Sequence, residues 1–254
     1  MNIESLTAKN IQKIYTTGAA TISLFRGFSY IFKRGNTYAL MGPSGVGKST
    51  LLHMLAGFET PSAGSVSINA RDLSTLSLDE KNKIRSTSLG FIFQQPYLIP
   101  ELSILENVMI KGLIAGLPHS VCKNKALSIL KEVGLEQYNN HYPSELSGGQ
   151  QQRVACARAL VSNPDFICAD EPTGSLDKKT ARQIVDLLCT YQKKNNMGLI
   201  ISTHDEMVAA CLHYTLKINN GLFSEIKNEG KQDNPIKKEE HIQWQQETQL
   251  YERQ

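Results

Sequence analysis

The sequence predicts an α/β fold built around a parallel sheet. Short β-like runs fill the first forty residues, and strand-like and helix-like runs alternate after them. A glycine-rich loop at 42–50 lies between an apolar strand-like run and a helix-like run. Two further apolar runs, Phe166–Ala169 and Leu199–Ile201, have the length of buried parallel strands. Such alternation is typical of a sheet whose parallel strands are connected by helices.

The composition is that of an ordinary globular protein. Of the 254 residues, 41% are hydrophobic and 20% are charged, and the net charge is +3. This small charge does not indicate a nucleic-acid partner. The best candidate for a membrane span, Val108–Leu117, is interrupted by Lys111, so no span is predicted. The N-terminal region carries Glu4, Lys9 and Lys13 and has no apolar core, so no signal peptide is expected.

The cysteines are scattered and form no CxxC pair. An odd, dispersed set without a signal peptide indicates reduced thiols in a cytoplasm, and metal ligation is the less favoured interpretation. The five are Cys122, Cys156, Cys168, Cys189 and Cys211.

Local signals place the first strands and several helix starts. Strands are predicted at Ser5–Tyr15, Ala20–Phe32 and Thr37–Met41. In a capping box, a serine and an acidic or glutamine residue three positions later satisfy each other's backbone N–H groups. Three such boxes occur, at Ser77 and Glu80, Ser103 and Glu106, and Ser147 and Gln150.

Further signals place the last elements of the chain. Asp177 is a candidate N-cap for a helix over Lys178–Lys194. Asn220-Gly221 predicts a hairpin turn between two final strands. Residues 226–254 are rich in Lys, Glu and Gln, which predicts a disordered or loosely helical extension. A solvated tail and a partner-binding tail both remain open.

The strongest functional motif is the glycine-rich loop, which matches the phosphate-binding pattern GxxxxGK[ST]. Its glycines let consecutive backbone N–H groups point at phosphate oxygens, and the following helix adds its positive N-terminal end. Lys48 is predicted to neutralise the β- and γ-phosphates, and the Ser49 hydroxyl to ligate Mg²⁺. The predicted nucleotide contacts are Gly42, Pro43, Ser44, Gly45, Val46, Gly47, Lys48, Ser49 and Thr50.

Two carboxylates follow the apolar run Phe166–Ala169. Ligands of open α/β sheets bind at the carboxyl ends of the strands, where Asp170 and Glu171 are expected. Asp170 is predicted to hold Mg²⁺ through water, and Glu171 to act as a general base near the γ-phosphate. Taken alone, a strand ending in Asp-Glu is more often a solvated turn.

A second anion site is predicted at a helix start. Small residues there expose backbone N–H groups and a serine hydroxyl, although an ordinary helix cap has the same chemistry. The segment comprises Leu146, Ser147, Gly148, Gly149 and Gln150.

In this order and spacing, the three motifs resemble the nucleotide-binding domain of ABC ATPases over about residues 3–225. The resemblance implies a P-loop NTPase core with an N-terminal antiparallel β subdomain and an inserted α-helical subdomain, at about 95–160, that carries the signature motif LSGGQ. It implies an ATPase domain over 1–225. It also implies a head-to-tail dimer holding two Mg-ATP, in which each signature closes over the partner's ATP and the dimer drives integral membrane subunits.

The resemblance assigns four more residues. Tyr15 would stack on adenine, and Gln94 would touch Mg²⁺ and the attacking water. Asp177 would lie in the dimer interface, and His204 would sense the γ-phosphate as a catalytic residue. Without the resemblance, these residues are more simply a core tyrosine, a loop glutamine, an N-cap and a structural histidine.

Three segments, Ala169–Asp177, Leu76–Arg85 and Leu89–Asn107, resemble the subgroup of lipoprotein-releasing, macrolide-exporter and cell-division ATPases. The expected function is therefore lipoprotein release or related export, at the cytoplasmic face of the inner membrane. Iron–sulfur assembly and force transmission in cell division are the alternatives. An apolar contact for the membrane subunit is expected at Pro96, Tyr97, Leu98 and Leu102, unless these residues pack on their own domain.

Overall fold

The computed structural model describes residues 5–17, 20–219 and 221–228. Within these ranges the strands are β1 (Ser5–Thr17), β2 (Ala20–Lys33), β3 (Thr37–Met41), β4 (Ala63–Ile68), β5 (Arg71–Asp72), β6 (Leu89–Ile92), β7 (Phe166–Asp170), β8 (Gly198–Ser202), β9 (Tyr214–Asn219) and β10 (Leu222–Lys227). The α-helices are α1 (Lys48–Leu55), α2 (Leu78–Thr87), α3 (Ile104–Ile114), α4 (His119–Glu132), α5 (Gly148–Leu160), α6 (Lys178–Asn195) and α7 (Glu206–Ala210).

The main sheet confirms the predicted α/β class. Its strands lie in the order β10-β9-β3-β8-β7-β6. Every pair from β9 to β6 is parallel, and β10 adds an antiparallel edge to β9. The carboxyl ends of β3, β7 and β8 therefore meet at one edge of the sheet, which is where ligands of such folds bind.

A second sheet lies at the N-terminal side of the chain, as the resemblance implies. Its strand order is β2-β1-β4-β5, and all its pairs are antiparallel. The strands β1 and β2 form a long hairpin that pairs from Ser5 opposite Lys33 to Thr17 opposite Ala20.

Two hydrophobic cores lie on either side of the main sheet. Successive side chains of a strand point to opposite faces, and β7 shows this clearly. Phe166 and Cys168 join the core that β1, β2 and α1 cover, whereas Ile167 and Ala169 join the core beneath α3–α6. Because both faces are covered, β7 is apolar throughout until Asp170.

Three helices, α3, α4 and α5, are inserted between β6 and β7 and contact one another. Their buried side chains form a continuous core with those of α6. The insertion matches the helical subdomain that the resemblance implies, and its last helix begins within the signature motif.

The observed helix starts confirm the predicted caps. All three capping boxes form, with both reciprocal hydrogen bonds. Asp177 caps α6, as predicted. The final strand β10 extends to Lys227, two residues beyond the boundary expected at 225.

The structure covers the end of the chain only in part. Asn220 of the predicted turn, and residues 229–254 of the predicted extension, lie outside the described residues. The flanking strands pair as a hairpin from Asn219 opposite Leu222.

No helix in the described ranges has the length and apolarity needed to cross a membrane. All five cysteines lie in those ranges, and no disulfide joins any of them. Burial raises the pKa of the Cys156 and Cys168 thiols to about 12, so these two are structural core residues.

Candidate functional site

The phosphate-binding loop connects β3 to α1 at the carboxyl edge of the main sheet. Gly45 and Gly47 have φ angles of +78° and +104°, which side chains other than glycine rarely adopt. A Cβ at Gly42 would lie 2.6 Å from the carbonyl oxygen of Ile218, so only glycine fits there. The loop therefore exposes its backbone N–H groups at the start of α1, an arrangement that suits an anion.

Lys48 is the first residue of α1, and its side chain is 6% exposed. Its Nζ donates to the carbonyl oxygens of Gly42 at 2.9 Å and Pro43 at 3.2 Å. The same atom lies 3.8 Å from Oε1 of Glu171. The ammonium is thus held beneath the loop, close to where phosphates would bind.

Ser49, Asp170 and Ser202 form a short chain of hydrogen bonds. The Ser49 hydroxyl donates to Oδ1 of Asp170 at 2.9 Å, and the Ser202 hydroxyl donates to the same atom at 2.6 Å. Asp170 and Ser202 are register partners at the ends of β7 and β8. Ser202, two residues before His204, belongs to no motif that predicted the site.

Mg²⁺ prefers oxygen ligands. The Ser49 hydroxyl and the Asp170 carboxylate supply such oxygens beside the phosphate-binding loop, so the residues present fit that ion.

Glu171 adopts a φ of +41°, which is uncommon for a residue with a side chain. Its N–H donates to the Ser202 hydroxyl at 2.9 Å, which stabilises this conformation. Oε2 of Glu171 lies 3.4 Å from Nδ1 of His204. Added at Gly174, a Cβ would lie 3.2 Å from Nε2 of Gln94 and 3.3 Å from Oε2 of Glu171. The side chains of Gln94, Glu171 and His204 therefore lie near one another.

Tyr15 lies at the surface and is 37% exposed, so it is not a core residue. Its hydroxyl donates to Oε1 of Glu59 at 2.5 Å. Local burial and this hydrogen bond raise the pKa of Tyr15. A hydrogen bond with Thr50 of the phosphate-binding loop offsets part of that increase. The Lys13 ammonium lies 5.0 Å from the centre of the ring. The contact with Thr50 places the Tyr15 side chain beside the phosphate-binding loop.

The signature segment forms the start of α5. Ser147 is the N-cap, and its hydroxyl accepts from the N–H of Gln150 at 3.4 Å. A Cβ at Gly148 would meet nothing within 4 Å, whereas one at Gly149 would lie 2.7 Å from Cγ2 of Thr180. Leu146 is buried and anchors the segment, and Ser147 and Gly148 are exposed. The helix start is open to a ligand.

Asp177 caps α6 by accepting from the N–H groups of Lys179 and Thr180 at 3.0 Å. The Thr180 hydroxyl also donates to it, at 2.6 Å. These hydrogen bonds, led by that of Thr180, lower the pKa of the Asp177 carboxyl.

The residues expected to meet a membrane subunit divide into two kinds. Tyr97 is 63% exposed and has a φ of +42°. Pro96, Leu98 and Leu102 are only partly exposed, and Leu98 packs against the core of its own domain. Tyr97 lines a groove, here called the aromatic groove, that no sequence motif predicted. Its apolar lining includes Phe58, Phe91, Phe93, Tyr97, Ile110 and Ile114.

A family model described as "ABC transporter" matches residues 25–174, which is more than half of the chain. The chain belongs to the ABC transporter family. The match covers the phosphate-binding loop, the signature, Asp170 and Glu171. This ABC protein therefore binds ATP and hydrolyses it.

Curated relatives support the same assignment. The lipoprotein-releasing system ATP-binding protein LolD of Legionella pneumophila (strain Paris) is 39% identical over 221 residues, which cover 87% of this chain and 97% of the relative. The LolD protein of Xanthomonas campestris pv. campestris (strain 8004) is 41% identical and covers 87% and 92% of the two chains.

Solved ABC cassettes share the fold. One is the dimeric ATP-binding cassette MJ0796 in a post-hydrolysis state with ADP and Pi. It has a TM-score of 0.82 and 38% identity and covers 89% of this chain and 99% of the other. The cassette cbiO1 from Clostridium perfringens, part of the transporter complex cbiONQ, has a TM-score of 0.78 and 28% identity and covers 89% and 90%.

Proposed function

We propose that this ABC ATPase is the motor subunit of a lipoprotein-releasing machine. The observation that supports this best is the 39–41% identity to LolD proteins over 87% of the chain. The resemblance of Ala169–Asp177 to the same subgroup agrees with it. The relatives favour lipoprotein release over iron–sulfur assembly and over cell division. The ATPase domain extends through β10.

In this proposal the loop and Lys48 hold the phosphates of ATP. The Nζ of Lys48, now held by the carbonyl groups of Gly42 and Pro43, is close enough to the loop to turn towards the β- and γ-phosphates. Ser49 and Asp170, with Gln94 nearby, would hold Mg²⁺. When bound, Mg²⁺ would neutralise phosphate charge.

Glu171 is the proposed general base. It accepts a proton from the water that attacks the γ-phosphate, and the His204 imidazole, 3.4 Å away, helps to hold its carboxylate. Gln94, whose side chain lies near that of Glu171 beside Gly174, would orient the same water. Tyr15 would stack on the adenine ring.

Two copies are proposed to assemble head to tail. The exposed helix start at Ser147–Gly149 is a second anion site, and it would close over the γ-phosphate of ATP bound by the partner. Asp177 would lie in this interface. The solved dimeric structures of a similar cassette support the assembly of two copies.

The aromatic groove is the proposed contact with the membrane subunit. The proposed location is peripheral, at the cytoplasmic face of the inner membrane. Exposed apolar surface of this kind marks an interaction site. Phe58 is 48% exposed, Tyr97 63% and Ile114 69%, and all three border the groove.

The proposal is tested by purifying the tagged chain from detergent-solubilised membranes of its own host. We expect an integral membrane subunit with a large extracytoplasmic domain to copurify. The complex, in liposomes that contain an acylated lipoprotein, should release that lipoprotein into the soluble phase only with ATP. Copurification with soluble iron–sulfur assembly proteins, and no release, would contradict the proposal.

A further inference from the structure

The end of α3 and the start of α4 form a tight corner, residues 112–125, here called the α3–α4 corner. The N–H of Leu117 donates to the carbonyl oxygen of Gly112 at 3.0 Å, and Sγ of Cys122 donates to the carbonyl oxygen of Leu117 at 3.6 Å. A Cβ at Gly112 would lie 2.9 Å from Sγ of Cys122, so the two helices touch here. The backbone of the corner is therefore held by its own contacts.

Large apolar side chains are exposed on both sides of this contact. Leu113 is 41% exposed and Ile114 69% on α3, and Val121 is 39% exposed on α4. Leu113 directly follows Gly112, and Val121 directly precedes Cys122, so both flank the point where the helices touch. Because the backbone is already fixed, little further ordering is needed when these side chains leave water.

The same part of the chain is basic. Residues 107–131 contain Lys111, Lys123, Lys125 and Lys131 and no Asp or Glu. Lys123 is exposed and Lys125 is partly exposed on the first two turns of α4. Within the part of the chain that the structure describes, neither of these two lysines makes an ion pair. Their charge is therefore not neutralised by another side chain.

Exposed apolar side chains beside such lysines match the surface of an anionic bilayer, where phosphates lie above hydrocarbon. At the tip of the corner, a Cβ on Gly116 would have nothing within 4 Å. An open tip offers a protein partner little surface to enclose, whereas lipid headgroups can rearrange around it. Ile114 also lines the aromatic groove, so the corner lies beside the surface proposed to meet a membrane subunit.

We infer that the α3–α4 corner contacts the bilayer directly. Leu113, Ile114 and Val121 enter the headgroup region, and Lys123 and Lys125 bind the phosphates of anionic lipids. This inference deepens the proposed peripheral location at a membrane and rests on it.

Binding of the purified full chain to vesicles tests the inference without any membrane subunit. Vesicles of phosphatidylethanolamine and phosphatidylglycerol are compared with vesicles in which phosphatidylcholine replaces the anionic lipid. We expect binding to the anionic vesicles to be stronger by about tenfold or more, and added salt to weaken it, because salt screens exposed charges. Equal binding to both kinds of vesicle, or binding to neither, would overturn the inference.

Reversing the charge of the corner should weaken that binding. Lys123→Glu combined with Lys125→Glu should reduce binding to the anionic vesicles by about tenfold or more. Lys9→Glu combined with Lys33→Glu makes the same change of charge at exposed positions of β1 and β2, and it is the matched control. Retained ATP binding shows that each variant is folded. An equal loss in both double variants would mean that only the net charge matters, and would count against the corner.

The depth of the corner in the bilayer can be measured by fluorescence. The single tryptophan, Trp244, is replaced by Phe, and a new tryptophan is introduced as Val121→Trp or, for control, as Ile31→Trp on β2. We expect brominated phosphatidylglycerol to quench the fluorescence at position 121 and not at position 31. Bound protein without quenching at position 121 would show that another surface contacts the lipid.

These results are independent of the copurification that tests the proposed function. Loss of vesicle binding with an intact complex would overturn the lipid contact alone. If the variant with both Lys123→Glu and Lys125→Glu still binds anionic vesicles normally but no longer copurifies with a membrane subunit, the corner contacts protein and the inference is wrong.

Discussion

In the proposed mechanism, the side chains around Glu171 determine whether bound ATP is hydrolysed. The Glu171 carboxylate contacts Lys48 and His204, and the backbone N–H of Glu171 donates to the Ser202 hydroxyl. The phosphate-binding loop, in contrast, offers its own backbone N–H groups to the nucleotide. In this proposal, different atoms bind ATP and hydrolyse it, so single substitutions can separate the two functions.

We expect Glu171→Gln to retain ATP binding and to lose about 10²-fold or more of the turnover, because the amide cannot accept the proton of water. Phosphate release measures the turnover, and size exclusion with ATP should show an accumulated dimer. Glu136→Gln, at an exposed glutamate, is the control. Unchanged turnover in the Glu171 variant would rule out Glu171 as the base.

The half-buried ammonium of Lys111 has a cost in stability that depends on pH. Its pKa of about 7 in the folded chain lies below the ordinary value of 10.5. Between these values the unfolded chain binds more protons, so this group makes the free energy of unfolding rise with pH from about 7 to 10. Below pH 7, Lys111 is protonated in both the folded and the unfolded chain, so its charge lowers the free energy of unfolding by the full amount.

Lys111→Met should therefore raise the free energy of unfolding at pH 7 by about 1–3 kcal/mol, since an apolar side chain replaces an uncompensated charge. It should also flatten the rise between pH 7 and 10. Urea unfolding across this range measures both effects, with Lys123→Met as the control. A lower stability at pH 7 would show that the ammonium is compensated in the free chain.

The starts of three helices could be predicted because the sequence signals for them are local. Each capping box lies within four residues, so the sequence alone specified the starts of α2, α3 and α5. The role of Ser202 could not be predicted in this way. It depends on β7 and β8 being neighbours in the sheet, although about thirty residues separate them along the chain.

The aromatic groove was missed for the same reason. Phe58, Phe91, Lys111 and Arg158 come from four separate segments. In the sequence, Lys111 only interrupts an apolar run. Its enclosure is seen when the fold brings its ammonium against carbonyl groups of β6 and α5.

The cap of α6 allows the structural role of Asp177 to be separated from its proposed interface role. Asp177→Asn should preserve the cap, because Asn and Asp cap helices about equally, whereas Asp177→Ala should lose about 1 kcal/mol of stability. Thermal unfolding checks this difference. If the interface needs the carboxylate, both variants should lose ATPase activity; full activity of the Asn variant would leave Asp177 as a cap only.

Whether the ATP site is shared between two chains can be tested only in the dimer. Lys48→Ala disables the phosphate-binding loop, and Ser147→Arg fills the signature with a bulky side chain. Each protein alone should be inactive. Mixed, they can form a heterodimer in which one site joins an intact loop to an intact signature, so ATPase activity should exceed the sum of the separate proteins.

Cross-linking across the interface shows whether heterodimers have formed in that mixture. Confirmed heterodimers without recovered activity would argue against a shared site, or would mean that both sites must act together. A mixture of two Lys48→Ala preparations carrying different tags is the matched control, since it contains no intact loop.

The capping box at Ser147 has a consequence for the kinetics of the dimer. Its two reciprocal hydrogen bonds are already formed in the single protomer, so the helix end that would meet the partner's phosphate is preorganised. Little ordering entropy then remains to be lost on contact, and the encounter rate is set mainly by diffusion and orientation. Bound ATP would act chiefly on the residence time: it slows the separation of two protomers far more than it speeds their meeting.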